Sequence, residues 1–114
     1  MSYTTAFLQN GATRAITAAV TPPTAVQVPA NFTAGSRPRN QFRVVNSGDV
    51  TAFLGAGPSA TLAGTNSAVV STTGNAIPLV PGAVEVFSFP SDWYFTLSTA
   101  SDTAVVYITP GEGL

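Results

Sequence analysis

Residues 93–114 read "WYFTLSTASDTAVVYITPGEGL". Two runs of aromatic and β-branched residues, 93–98 and 103–109, flank the turn-forming "TASD". In the first run Trp93, Phe95 and Leu97 recur with a period of two, which places them on one face of a strand. The second is built of Val, Tyr, Ile and Thr, stiff at χ1 and suited to a pleated surface. A hairpin is predicted, its cross-strand pairs each contributing about 0.2–1 kcal/mol relative to alanine. Pro110 has no N–H, so pairing is expected to end there and leave 110–114 as a C-terminal tail. Two readings of that tail stand side by side. It is a frayed end, or it is a short arm that docks on a neighbouring subunit. In the second case Glu112 supplies a charge, Leu114 an apolar anchor, and Gly111 and Gly113 let the chain lie flat on another backbone.

The same pattern extends backward through the chain. Nine prolines and ten glycines punctuate short β-prone runs, and helix signals are nearly missing. Such spacing marks an all-β sandwich or barrel. "QFRVVN" (41–46) and "VTAFLG" (50–55) read as a hairpin, "AGPSATLAGTN" (56–66) as a small-residue loop, and "SAVVST" (67–72) as a strand. "AIPLV" (76–80) reads as a short edge segment, followed after Pro81-Gly82 by the strand "AVEVFSF" (83–89). Upstream, "TRAITAAV" (13–20) is a strand or at most a short helix. "TPPTAVQVPANF" (21–32), with three prolines, fits only an edge strand or an extended segment, and "TAGSRPRN" (33–40) is a loop. The expectation is one domain over 1–114: a β-sandwich of jelly-roll type with about eight short strands. Residues 1–40 form an extended N-terminal segment with a possible arm, 41–109 the β core, and 110–114 the tail.

Composition narrows the function. Cysteine and histidine are absent, which removes thiolate chemistry, disulfides and the commonest general base and nitrogen ligand. There is no lysine, and charged residues make up 8% against roughly a quarter in typical domains. With a net charge of −1, little keeps copies apart, so association is favoured. No apolar run approaches the length of a membrane span, and the N-terminus lacks a basic and a continuous apolar region, so neither a membrane helix nor a signal peptide is predicted. The sequon Asn31-Phe32-Thr33 is then read as a chance match.

Four features carry candidate chemistry. "GAGPSA" (55–60) mimics a dinucleotide fingerprint, but Pro58 interrupts it, no helix is predicted after it, and residue 75 is Asn where an acid would hold a ribose. The carboxylates Asp49, Asp92 and Asp102 sit in turns, where bonds to local backbone account for them; Glu85 alone lies mid-strand. Arg37, Arg39 and Arg43 cluster, too few for a nucleic-acid footprint, and suit ion pairs with an acidic partner or a solvated loop. In "AVEVFSFP" (83–90), alternation sends Phe87 and Phe89 wherever Glu85 goes. Either a bulge separates them, or two rings and a carboxylate share an interface. No catalytic, metal or cofactor group is predicted. Trp93, Tyr94 and Tyr107 are the material for a sugar-stacking platform in a carbohydrate- or receptor-binding module.

"FRVVNSGDVTAFLGAG", "AIPLVPGAVEVFSF" and "TAVVYITPGEGL" together resemble small virion proteins of tailed bacteriophages. The residues that carry the resemblance are Arg43, Asn46, Gly48, Ala52, Phe53, Pro78, Leu79, Gly82, Glu85, Phe87 and Thr109 to Leu114. It covers about 41–114 and not the first 40 residues. It implies a capsid decoration, or cement, protein made in the host cytoplasm and placed on the outer capsid surface. Its partners would be the major capsid protein and copies of itself as a dimer or trimer, with no nucleic acid or membrane. A tail, neck or fibre component is the alternative. The interface candidates are Arg37, Arg39, Arg43, Glu85, Phe87, Phe89, Glu112 and Leu114.

Overall fold

The computed structural model describes residues 7–29 and 39–112, the side chains of 39 and 40 excepted. The sequon at 31–33, Arg37 and Leu114 lie outside the described residues.

Among the described residues, nine strands and one helix run in the order β1 (Leu8–Gln9), β2 (Arg14–Ala18), β3 (Val26–Gln27), β4 (Arg39–Asn46), β5 (Ala52–Gly57), α1 (Ala60–Asn66), β6 (Ile77–Leu79), β7 (Val84–Pro90), β8 (Tyr94–Thr99) and β9 (Ala104–Glu112). Two antiparallel sheets form. Sheet A has the order β1/β2–β9–β4–β7, and sheet B the order β3–β8–β5–β6. Gln9 pairs with Gly111 and Arg14 with Ile108, so four residues, 10–13, span the place of two. β1 and β2 are therefore halves of one bulged edge strand. Counted so, eight strands cross from sheet to sheet at every connection except β5 to β6. This is the jelly-roll order, and the sandwich expectation holds.

Neither expected hairpin exists. β8 and β9 lie in different sheets, and so do β4 and β5. After β8 the Thr99 hydroxyl donates to the Asp102 carbonyl (2.6 Å). Asp102 takes a left-handed φ of 59°, turning the chain across the sandwich instead of back along it. After β4 the buried Asn46 does the equivalent. Its amide donates to the Leu79 carbonyl (2.8 Å) in the opposite layer and to the Val50 carbonyl (3.0 Å) in the chain leading to it, and its Oδ1 accepts from Gly48 N–H (2.9 Å). The core between the sheets includes Ile16, Phe42, Val44, Leu54, Leu79, Phe95, Leu97, Val106 and Ile108.

Two local expectations are corrected. Residues 60–66 are helical, not a loop. Ser59 caps the helix by accepting from Leu62 N–H (3.2 Å), and Ala63 is fully buried. Seven residues including Gly64 would not hold a helix alone. α1 exists because Gly55 and Gly57 leave room for it: a Cβ on Gly55 would run into the Ala63 carbonyl and the Ser67 backbone. Residues 67–72 are not a strand, because Ser67 is the helix C-cap and the chain leaves the sheet there.

The C-terminal run continues through Pro110 and Gly111 to Glu112 and is neither a frayed end nor an arm over that length. It lies between β1 and β4. The Pro110 carbonyl accepts from Asn10 N–H (3.0 Å). A strand residue directs its N and O to the same neighbour, so the missing N–H faces the bulged edge and costs β4 no bond. Gly111 is needed because the Phe7 ring and Leu8 carbonyl occupy the space of a Cβ.

Candidate interaction surface

Alternation sorts the side chains of sheet A. Phe42, Val44, Val106 and Ile108 point inward and are buried. The outer face carries Ala15, Tyr107, Val45 and Val84 in one cross-strand row, and Thr109, Arg43 and Val86 in the next. Thr109 shares a hydroxyl hydrogen bond with Thr13 (2.7 Å). Tyr107 is 41% exposed and Val84 50%. Arg43 is exposed and makes no ion pair among the described residues. The two layers differ in their outer faces. Sheet B is covered by α1, which buries Thr96, Ser98 and the strand glycines, with the Ser98 hydroxyl donating to the Ser67 carbonyl. On sheet A no described element covers the outer face beyond the Phe7 ring at Gly111.

The structure separates the sequence-derived candidates. Arg43 stands on the outer face. Arg39 opens β4 opposite Pro90. Glu85, Phe87 and Phe89 pair with Val44, Phe42 and Asn40 in an unbroken register, so they lie on the inner side and no bulge intervenes. The rings face the core, with centroids 6.2 Å (Phe42–Phe89), 6.0 Å (Phe87–Phe89) and 5.4 Å (Phe89–Phe95) apart. Glu85 shares their face but remains exposed, because β7 is the edge of the layer. It is on the opposite side of the sheet from Arg43, so the two do not pair. Glu112 is half-buried opposite Leu8. Reading outward positions along β9, β4 and β7 would have found Tyr107, Val45 and Val84, but which strands are neighbours was not visible.

The stacking platform does not assemble. Trp93 is half-buried against Phe89 at 5.9 Å, Tyr94 belongs to sheet B, and Tyr107 faces out from sheet A. The dinucleotide mimic does precede a helix, contrary to expectation. That helix, however, lies against its own strand's glycines and leads to an antiparallel neighbour, not to a parallel crossover. Among the described residues no group of three or more His, Cys, Asp or Glu could hold a metal ion, and no helix is long and apolar enough to cross a membrane.

A second feature lies at the β2 edge. A cleft of about 260 Å³ is lined by Arg14, Ala15, Ile16, Thr17, Pro23, Thr24 and Val26. Arg14 is exposed there and has no ion pair among the described residues.

The fold and surface define a small jelly-roll module in which one sheet face has no covering element among the described residues. No protein-family model, curated protein or solved structure matches the chain.

Proposed function

We propose that this chain is a structural virion protein that binds the outer surface of a tailed-phage capsid and cements neighbouring capsid subunits. The observation that carries the reading is the outer face of sheet A, which no described element covers beyond the Phe7 ring: Tyr107, Val45, Val84, Val86 and Ala15 around the cation Arg43. An apolar patch with an aromatic and an arginine, sparsely charged, has the make-up of a protein interface. The resemblance carried by 41–114 supplies the capsid as the partner. One face of a small module supports modest affinity, and many copies on a lattice raise it through avidity.

The test is cryo-EM of the native virion together with addition of the purified chain to capsids that lack it. Ordered density on the head, in hundreds of copies, is the expected result. Absence from the head overturns the proposal, and a handful of copies at the neck or tail would favour the tail-component reading.

A further inference from the structure

Among the described residues sheet A ends at β2 and β7, and part of each edge has backbone groups without a bond. The Pro110 carbonyl faces β1, so Ile108, Val106 and Ala104 face β2, and within β2 the groups of Arg14, Ile16 and Ala18 answer them. The N–H and C=O groups of Ala15 and Thr17 therefore point away from the sheet. Among the described residues no hydrogen bond reaches them. On the far edge Asn46 N–H donates to the Ala83 carbonyl (3.0 Å), so the backbone of Val84 and Val86 points outward, likewise without a bond. Each edge also holds one exposed charge lacking an ion pair among the described residues: Arg14 on β2 and Glu85 on β7. Both occupy inner-face positions, since Arg14 pairs with Ile108 and Glu85 with Val44.

We infer that sheet A continues from one copy of this chain into the next, β7 of one copy pairing with β2 of its neighbour. This rests on the self-association within the proposed function and gives it a geometry. β2 and β7 run antiparallel within the sheet, so a neighbour placed in the same sense meets β7 with an antiparallel β2. The match places Val84 opposite Ala15 and Val86 opposite Thr13 as hydrogen-bonded pairs. Glu85 then faces Arg14 in the intervening non-hydrogen-bonded pair, where side chains approach most closely. The cleft beside β2 gives the incoming strand its space. Because the contact joins two different edges it is head-to-tail and closes into a ring or runs on as a fibre. A two-fold passing through the Glu85 position of β7 would instead oppose Glu85 to Glu85.

The chain has no cysteine, so introduced thiols report this contact alone. Arg14→Cys and Glu85→Cys variants of the full chain, mixed and oxidised at high concentration, are expected to form a mixed disulfide dimer in preference to either homodimer. The Cα separation of such a non-hydrogen-bonded pair, roughly 4.5 Å, lies within disulfide range. In native mass spectrometry and sedimentation, Arg14→Glu and Glu85→Arg are each expected to weaken assembly by at least about tenfold, and the double exchange to restore it. Homodimeric Glu85→Cys disulfides, a wild-type chain that stays monomeric at millimolar concentration, or a double exchange that restores nothing would each overturn the inference. The assay contains no capsid, so it fails or succeeds independently of capsid binding.

Discussion

Asn46 occupies a fully buried position and satisfies its amide with three bonds, to Leu79 and Val50 carbonyls and from Gly48 N–H. It ties sheet A to the chain entering sheet B. Asn46→Ala would leave the buried Leu79 carbonyl without that donor, a loss of about 2–4 kcal/mol from unmade bonds and desolvation. Urea unfolding followed by the fluorescence of Trp93 measures it; a midpoint within error of wild type would refute this role. Gly48 is as constrained, since a Cβ there would come within 2.5 Å of Ala104 Cβ. Gly82 meets a different need: at φ 81° it follows Pro81 in a turn closed by Ala83 N–H to the Val80 carbonyl (2.9 Å). Several residues that carry the phage resemblance thus have architectural duties. The sequence displayed them as motifs without showing what they hold, because their partners are remote along the chain.

At the level of elements, α1 and β9 depart most from expectation. The helix depends on two glycines of a strand it covers. Gly55→Ala is expected to displace it, costing about 1–3 kcal/mol as overpacking, with loss of helical circular dichroism and of amide protection at Thr96 and Ser98. Retention of both would show that α1 stands without that close approach. For β9, removal of residues 110–114 takes away the strand end between β1 and β4 and exposes Phe42, which pairs with Pro110. The truncated chain is expected to unfold at clearly lower urea, with β1 released, as hydrogen exchange at Leu8 and Gln9 would record. An unchanged midpoint would return these residues to the status of a tail. The strands from 76 onward were legible because apolar alternation is local. The predicted hairpins do not form because adjacency in sequence is not adjacency in a sheet: a jelly roll sends nearly every connection across the sandwich.

For the whole molecule, the contrast between the layers is the central fact. Sheet B has a helix on its outer face; sheet A has Tyr107, Val84 and Arg43 facing out. Substitution on an exposed face usually shifts stability by no more than about 0.5 kcal/mol. Tyr107→Arg is therefore expected to keep the wild-type unfolding curve and, on the proposed function, to reduce occupancy on capsids by tenfold or more, as expected for replacing an interface anchor worth about 2 kcal/mol. Occupancy equal to wild type would move the binding surface elsewhere. Of the candidates read from the sequence whose side chains are described, Arg43 stands on this face. Phe87 and Phe89 are core-facing, and Glu85 belongs to the edge.

The sequence by itself determined the class of the fold, the positions of most strands, the shared face of Phe95 and Leu97, and the poverty of charge that favours association. These follow from side-chain period and composition, which each segment carries alone. Tertiary structure decided the rest: which strands pair, that Pro110 and Gly111 lie inside a sheet, that α1 forms, and which face stays open. Each of these is settled by contact between segments far apart in the chain, where backbone bonds must be completed and glycines must meet their neighbours. No local pattern records such contacts.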